Sequence, residues 1–410
     1  MARWSWPLAA VAHFPKRPKH ARIISRNRLR NAAALALTGV LTFTGVAAGA
    51  ATNHISTNIN AVDVDQIFND FNRETAHERP TQVSLPEAYG TNRALNILIL
   101  GLDSRDGDNA EFATDEVDGV RSDTVMVMHV SADRRHVTMI SIPRDSVVDI
   151  PSCPTTTPGR FTQASSNTRF NAAFSLGYNR GGDIESGAMC TMTTVESLTN
   201  VQLDGFIAMD FAGFTRTVHA LGGVEMCIEQ EIYSPKAGHL HLLPGCQTLD
   251  RWQAFQLMRA RTGVGLGDGS DLTRIRRQQQ LLSAIADRAL SLNLVTEPHT
   301  LLRFLSATTA SMTASSNFAS INGLTALGMT FNGISSEDIE FMTVPIAGNP
   351  EDRNTVIWTR AADELWHNVR YNTLYGDVST DDGADSDLLD AEGDEAATPA
   401  GVAEPAPGND

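Results

Sequence analysis

The sequence predicts an α/β fold for most of the chain. Residues 95–100 are apolar except for Asn96, and the run ends at Gly101, which is typical of a strand buried on both faces of a sheet. Residues 125–130 and 137–142 are rich in β-branched side chains and methionine, and the short polar stretch between them predicts an antiparallel hairpin. Helical patterns follow along the chain, and strands combined with helices in this way indicate the fold class.

Four stretches place apolar side chains at helical spacing, namely residues 191–199, 210–221, 248–258 and 271–292. Gly222 and Gly223 should end the second helix, since glycine readily adopts the left-handed conformation found beyond a helix C-terminus. Another helical stretch follows residue 292, then a strand at 339–344 and a last helix near 360–370. Together these elements predict a main domain that spans residues 92–375.

The two ends of the chain differ in charge from the main domain. Residues 1–30 carry eight basic side chains and no acid, and residues 31–52 carry no charge at all. At roughly 1.5 Å per residue, the uncharged stretch is long enough to cross a hydrocarbon core of about 30 Å. The sequence therefore predicts a basic cytoplasmic leader at 1–30 and a single transmembrane anchor at 31–52, with the rest of the chain outside the cell membrane. A cleaved signal peptide is the alternative, because Ala48 to Ala50 resembles a small-residue cleavage site.

Residues 53–91 form a connector after the anchor, and residues 376–410 carry eleven acids and no base. This tail is rich in Ala, Pro and Gly and is predicted to be disordered. The formal net charge of the whole chain is −16. Such an acidic protein is unsuited to nonspecific nucleic-acid binding, which requires a basic surface.

Four cysteines lie in the exported part, and none of them is in a Cys-x-x-Cys spacing. Disulfides are therefore favoured over a metal site. Three pairings are possible; Cys153 with Cys190 and Cys227 with Cys246 is favoured, because each closes a modest loop. Four buried free thiols are the alternative.

Arginines repeatedly stand beside aspartates where strands end and helices begin. The sets are Asp103 with Arg105, Arg121 with Asp123, Arg144 with Asp145, Arg259 with Arg261, and Asp271 with Arg274 and Arg277. In the predicted hairpin, facing residue numbers sum to about 267, which places Asp123 opposite Arg144. Arginines placed in this way in an acidic chain suggest an anionic, phosphorylated ligand. Ordinary ion-pair networks that tie loops to a scaffold are the alternative.

The predicted helix that begins at Asp271 has one polar face, separate from its apolar face. Asp271, Arg274 and Gln278 are three and four residues apart and share that face. Arg259 and Arg261 should project together if the chain between them is extended. Guanidinium groups bind the forked oxygens of a pyrophosphate, while carboxylates can orient the arginines, hold Mg²⁺ or accept a proton.

The motifs resemble those of the LytR-CpsA-Psr family, membrane-anchored bacterial enzymes that attach glycopolymers to peptidoglycan. The likeness covers residues 96–369. It is carried by NILILGLDSR from residue 96, RSDT from 121, SIPRD from 141, RFNAA from 169, DFAGF from 210, ALGGV from 220, RAR from 259 and DLTRIRRQQ from 271.

The resemblance implies a single αβα domain with a mixed central sheet and an apolar tunnel for a polyprenyl tail. By motif it assigns a catalytic role to Arg144, Asp123, Asp103 and Arg105. The substrate-binding residues it implies are Arg121, Arg259, Arg261, Asp271, Arg274, Arg277 and Gln278. Asp103 and Asp123 would hold Mg²⁺, with Mn²⁺ as a possible substitute.

The activity implied is transfer of a glycan phosphate from a polyprenyl pyrophosphate carrier to peptidoglycan at the membrane, without a nucleic-acid partner. The cysteine pattern is similar to that of actinobacterial members, so arabinogalactan joins teichoic-acid-like and capsular polymers as a candidate cargo. A pyrophosphatase that acts on the lipid carrier and a membrane-bound transcriptional attenuator are the alternative functions.

Overall fold

The computed structural model describes residues 60–64, 66–68, 71, 93–104, 109, 120–267, 271–292, 296–319, 321–331 and 333–375. The predicted leader, the anchor, most of the connector, Arg105 and the acidic tail lie outside these residues. Among the described residues, no helix combines the length and apolar character needed to span a bilayer.

The strands are β1 (Asn60–Val62), β2 (Leu95–Asp103), β3 (Arg121–Val130), β4 (Val137–Ile142), β5 (Val147–Ile150), β6 (Ser165–Arg169), β7 (Gly205–Asp210), β8 (Val224–Ile228), β9 (Ile232–Ser234), β10 (Leu240–Leu242), β11 (Gly245–Leu249), β12 (Met312–Ser315), β13 (Ile339–Thr343), β14 (Ile346–Gly348) and β15 (Val356–Trp358). The helices are α1 (Ala172–Gly181), α2 (Ile184–Thr199), α3 (Phe211–Leu221), α4 (Arg251–Arg259), α5 (Asp271–Leu290), α6 (Pro298–Thr309), α7 (Ser316–Ala319), α8 (Ile321–Thr330) and α9 (Arg360–Tyr371).

Seven strands form the central sheet in the order β1-β12-β7-β2-β3-β4-β13. β2 runs parallel to β7 and antiparallel to β3, and β13 runs parallel to β4, so the sheet is mixed. Leu98 and Leu100 of β2 pack with α1, α2 and α9 on one face of the sheet, and Leu95 and Ile97 pack with α7 and α8 on the other. This burial on both faces confirms the prediction of a central strand and explains why its residues are apolar apart from Asn96.

The predicted hairpin is correct in its register. Val125 pairs with Ile142 and Val130 with Val137, so facing residue numbers sum to 267. The connecting turn closes through a hydrogen bond from the Ser131 amide to the His136 carbonyl. Residues 123 and 144 therefore emerge together at the open end of the hairpin.

Acidic N-caps explain why two helices begin elsewhere than predicted. α2 starts at Ile184 because the side chain of Asp183 accepts a hydrogen bond from the Ser186 amide. α4 starts only at Arg251, since Asp250 caps it and the two residues before Asp250 belong to β11. The predicted end of α3 is correct, because Gly222 adopts a left-handed φ of 83°.

A second apolar core lies beside the central sheet. It joins α3, α4 and α5 to the two small antiparallel pairs β8-β11 and β9-β10. The structure contains the two favoured disulfides, Cys153–Cys190 in the first core and Cys227–Cys246 across β8 and β11.

Candidate functional site

One edge of the central sheet gathers the charged residues. β2, β7 and β4 are mutually parallel and end at this edge, while β3 begins there. The edge therefore carries Asp103 at the end of β2, Asp210 at the end of β7, Arg144 two residues after β4, and Arg121 at the start of β3. In open α/β sheets, ligands bind outside the carboxyl ends of parallel strands.

A β-bulge turns Asp123 out of the regular ladder. Gly101 pairs with Thr124 and Leu102 pairs with Ser122, so Asp123 is an extra residue with no partner opposite it on β2. Bulges of this kind re-aim a side chain next to active sites. The pairing resumes with Asp103 opposite Arg121.

Asp123 and Asp271 each bind two arginines. Asp123 Oδ1 accepts a hydrogen bond from Arg144 Nη1 at 3.0 Å, and Asp123 Oδ2 lies 3.6 Å from Arg261 Nη2. Asp271 Oδ1 lies 3.4 Å from Arg144 Nε and also accepts a hydrogen bond from Arg274. Arg144 thus links β3, the loop after β4 and the start of α5 in one arginine–aspartate cluster, defined here as Asp123, Arg144, Arg261, Asp271 and Arg274.

The predicted polar face of α5 points into this cluster. Arg274 and Gln278 are only 4% and 7% exposed. The Gln278 amide accepts from Thr124 Oγ1 at 3.4 Å and donates to the Met258 carbonyl at 3.4 Å. These contacts hold α5 against the bulged strand and the end of α4.

Two carboxylates of the cluster have pKa values shifted in opposite directions. Burial raises the pKa of Asp123, but Arg144, Arg274 and Arg261 together outweigh burial and hold it below its usual value. Burial raises the pKa of Asp271, and here the neighbouring arginines do not compensate fully. Asp123 is therefore a fixed negative charge, while Asp271 is the more easily protonated of the two.

Several polar atoms of the cluster have unused hydrogen-bonding capacity. Asp271 Oδ2, Arg144 Nε and Arg274 Nε are buried and have no hydrogen-bond partner among the described residues. Leaving such atoms unpaired is costly, and active sites are where native proteins tolerate it.

Comparison with known proteins fits this geometry. A sequence model described as the LytR_cpsA_psr family matches residues 41–371. This chain belongs to that family.

Relatives with curated names work on cell walls. A probable cell wall biosynthesis protein of Corynebacterium glutamicum, LcpB, is 31% identical over 67% of this chain and 61% of its own length. A polyisoprenyl-teichoic acid–peptidoglycan teichoic acid transferase of Oceanobacillus iheyensis, TagU, is 28% identical over 71% of this chain and 86% of its own length. The chain thus spans less than two thirds of the Corynebacterium relative.

A solved structure shares the fold. The LytR-Csp2A-Psr enzyme from Actinomyces oris aligns with a TM-score of 0.51 at 18% identity, over 76% of this chain and 96% of its own. At this identity the likeness establishes the α/β fold alone.

Two arginines that the LytR-CpsA-Psr motifs mark as ligands have partners within the protein. Arg277 donates to the Leu266 carbonyl and, at 2.5 Å, to the Ala260 carbonyl, so it ties α5 to the loop before it. Arg259 lies over the rings of Phe211 and Phe255, with its guanidinium carbon 5.4 Å from each centroid. Arg259 and Arg261 therefore point to different neighbours, contrary to the expectation that they project together.

The structure does not test the roles of two other predicted residues. Arg121 is exposed at the sheet edge, and Arg105 lies outside the described residues. Their proposed contacts with substrate stay predictions.

Residues that the site prediction missed hold Arg144 and its neighbour Asp145 in place. Asp145 Oδ2 lies 3.4 Å from Arg144 Nε, and Asp145 Oδ1 accepts from Arg169 Nη1 at 3.1 Å. The Asn171 amide donates to the Arg144 carbonyl at 3.1 Å. The RFNAA motif carries Arg169 and Asn171, so the motif was visible in the sequence although its role was not.

Asn109 was also missed. This buried side chain donates to Asp210 Oδ2 at 2.7 Å and accepts from the Ala212 amide at 2.9 Å. It ties position 109 of the chain to the N-terminus of α3. Nothing in the residue pattern distinguishes Asn109 from an ordinary loop asparagine.

Metal and lipid sites remain predictions. In the described part of the chain, no group of three or more His, Cys, Asp or Glu side chains forms a metal-binding cluster. One cavity lined by described residues, of about 20 Å³, lies beside Phe71 and Phe161. Another is a shallow groove of about 410 Å³ along α5, with both polar and apolar lining. Neither is the predicted apolar tunnel.

Proposed function

We propose that this protein is a phosphotransferase that moves a glycan phosphate from a polyprenyl pyrophosphate carrier to a hydroxyl of peptidoglycan. The carrying observation is that Arg144, Arg261 and Arg274, remote in sequence, meet around Asp123 and Asp271 at the ligand-binding edge of the sheet. Membership of the LytR-CpsA-Psr family supports the same reaction class, because relatives are named as teichoic acid transferases to peptidoglycan.

The arginines bind the diphosphate in this proposal. Their planar donor forks match phosphate oxygens and stay charged at every physiological pH. Donors fixed before the reaction stabilise the negative charge that develops on the leaving phosphate, without reorganising. Gln278 and Arg277 position this set, since the first bridges β3 to α4 and the second fixes the loop that carries Arg261.

Asp103 and Asp123 are the residues we propose to hold Mg²⁺. The fit is chemical: Mg²⁺ takes one or two carboxylates and completes its shell with water and substrate phosphates, so a three-carboxylate cage is not required. Asp123 suits the role, because its low pKa keeps it ionised at the sheet edge. When bound, the ion would neutralise phosphate charge.

Asp271 is the carboxylate we propose as proton acceptor for the attacking hydroxyl. Its Oδ2 is buried and free of hydrogen bonds from described residues, while Oδ1 is held by Arg274. Its raised pKa brings it closer to the range in which a general base works well.

The setting we propose is the outer face of the cell membrane. The uncharged stretch at 31–52 would anchor the chain beside its lipid-linked donor, and an apolar tunnel would hold the polyprenyl tail. Among possible cargoes, arabinogalactan and teichoic-acid-like polymers are both compatible with the named relatives.

A reconstituted reaction tests the proposal. Full-length protein in detergent is incubated with lipid-linked glycan, peptidoglycan oligomers and Mg²⁺, and the products are identified by mass spectrometry. Glycan attached through a phosphodiester to peptidoglycan is the expected product. Release of free glycan phosphate without attachment would instead support the pyrophosphatase alternative.

A further inference from the structure

A shallow groove with both polar and apolar lining runs along the side of α5 that faces away from the arginine–aspartate cluster. It lies between α5, β8 and the edge strand β13, and its volume is about 410 Å³. Met226, Cys227 and Phe341 contribute its apolar surfaces. No step proposed for the cluster uses this groove.

Five polar side chains line the groove beside Gln279. Arg276, Gln280 and Asp287 on α5 and Glu225 on β8 are exposed, and Ser283 is half-buried between them. None of these five side chains forms a hydrogen bond or ion pair with another described residue. Donors and acceptors are thus presented together in one concave surface, next to the ring of Phe341, which favours a ligand rich in hydroxyl and amide groups.

The groove leads towards the reaction centre. Its floor includes Gln279, whose amide donates to Ser141 Oγ at 2.9 Å. Ser141 precedes Arg144 by three residues, a distance of roughly 10 Å along an extended chain. A ligand chain lying in the groove therefore needs only a short extension around the start of α5 to reach the cluster.

The charge of the groove selects among carbohydrates. Two carboxylates, Glu225 and Asp287, face one guanidinium, Arg276, so a polymer with many phosphates is repelled. The backbone of a peptidoglycan strand that keeps its stem peptides carries hydroxyl and amide groups, and its lactyl carboxyl groups are uncharged because they form amide bonds to those peptides. The donor end, in contrast, needs the arginines of the cluster.

We propose that this groove binds the glycan strand of the peptidoglycan acceptor. The inference rests on the proposed transfer function, and it deepens it by assigning the acceptor a place. The test uses full-length protein in detergent and soluble, uncrosslinked peptidoglycan strands that keep their stem peptides. Binding is measured by calorimetry, and circular dichroism checks the fold of each variant.

The variant Arg276→Ala/Gln280→Ala removes two free groove side chains. A matched control, Arg135→Ala/Gln163→Ala, removes the same residue types from exposed positions elsewhere. We expect at least tenfold weaker strand binding for the groove variant and an unchanged affinity for the control. Equal affinities for the two variants would overturn the proposal.

Two further measurements complete the test. The first distinguishes binding of the acceptor from binding of the donor, and the second distinguishes the groove assignment from the proposed transfer function. A soluble teichoic acid fragment replaces the strands; if only its binding is lost in the groove variant, the groove serves the donor and the acceptor assignment is wrong. Arg144→Ala should bind strands normally yet transfer glycan at least about 30-fold more slowly. Wild-type protein that binds strands through the groove but never transfers glycan would refute the proposed function and leave the groove assignment standing.

Discussion

At the scale of single residues, Arg144 is the side chain on which the cluster depends. It lies between Asp123, Asp145 and Asp271, and these three carboxylates outweigh the effect of burial and raise its pKa. A lysine could neutralise one carboxylate but could not span several with a planar fork.

Replacing Arg144 by alanine should leave a folded but inactive enzyme. Loss of one positioned donor is expected to raise the transition-state barrier by on the order of 2–4 kcal/mol. The measurement is kcat/KM for glycan transfer, with circular dichroism as a check of fold and Arg144→Lys as comparator. An Arg144→Ala protein with wild-type kcat/KM would remove this residue from the mechanism.

His129 should make stability depend on pH. It is buried, its Nδ1 donates a hydrogen bond to Asn96 Oδ1 at 2.7 Å, and burial lowers its pKa from 6.5 to about 4. The unfolded chain binds the proton more tightly, so the stabilisation is complete above pH 6.5 and is lost as the pH falls towards 4. The loss by pH 4 is on the order of 3 kcal/mol.

Urea unfolding at pH 7 and pH 5 measures this effect. The wild-type free energy of unfolding should be lower at pH 5 than at pH 7. His129→Gln should show a smaller decrease, because the titrating group is gone. The same pH dependence in both proteins would show that His129 is not responsible.

At the scale of elements, α5 brings the two halves of the site together. Its residue Gln279 donates to Ser141 Oγ, to the Met342 carbonyl at 3.0 Å and, at 3.3 Å, to Thr343 Oγ1. One amide therefore fastens the helix across β4 and β13. Asp271 and Arg274 are held in place through this contact, although Gln279 itself touches neither.

Gln279→Ala should loosen α5. Leaving buried partners unsatisfied is expected to lower the free energy of unfolding by about 1–3 kcal/mol. The kcat for transfer should fall as well, since cluster geometry depends on the helix. Gln163→Ala, at an exposed position, is the control and should change neither quantity.

Arg277→Ala distinguishes a positioning role from a ligand role. Without its two bonds to loop carbonyls, the loop of residues 260–267 should exchange amide hydrogens faster even when no substrate is present. Hydrogen exchange followed by mass spectrometry measures this. Unchanged exchange together with a raised KM would point to direct substrate binding instead.

At the scale of the whole molecule, the disulfides reinforce two different cores. Cys153–Cys190 is fully buried and closes 37 residues, whereas Cys227–Cys246 is exposed and closes 19. Loop closure predicts contributions of about 4 and 3 kcal/mol. Loss of the buried pair also disturbs packing, which adds to its cost.

Paired serine substitutions test this ranking. Cys153→Ser/Cys190→Ser should lower the urea midpoint more than Cys227→Ser/Cys246→Ser does, with both measured under oxidising conditions. A larger effect from the exposed pair would contradict the assignment of the buried bridge to the main core.

Local patterns predicted much of the fold. The hairpin register followed from strand period and turn length, which are properties of adjacent residues. Two helix starts were predicted wrongly, because a cap such as Asp183 or Asp250 outweighs apolar periodicity. The bulge at Asp123 depends on how β2 and β3 align over their full lengths, and no single segment encodes that alignment.

The sequence by itself determined the α/β class, the central strand, the hairpin, the family and the residue types of the site. Only the tertiary structure decided which arginine meets which carboxylate. Arg277 and Arg261 look alike in a motif, yet one bonds loop carbonyls and the other reaches Asp123. The reason is physical: secondary structure follows from local spacing, but the partner of a long flexible side chain depends on elements brought close by burial of apolar surface.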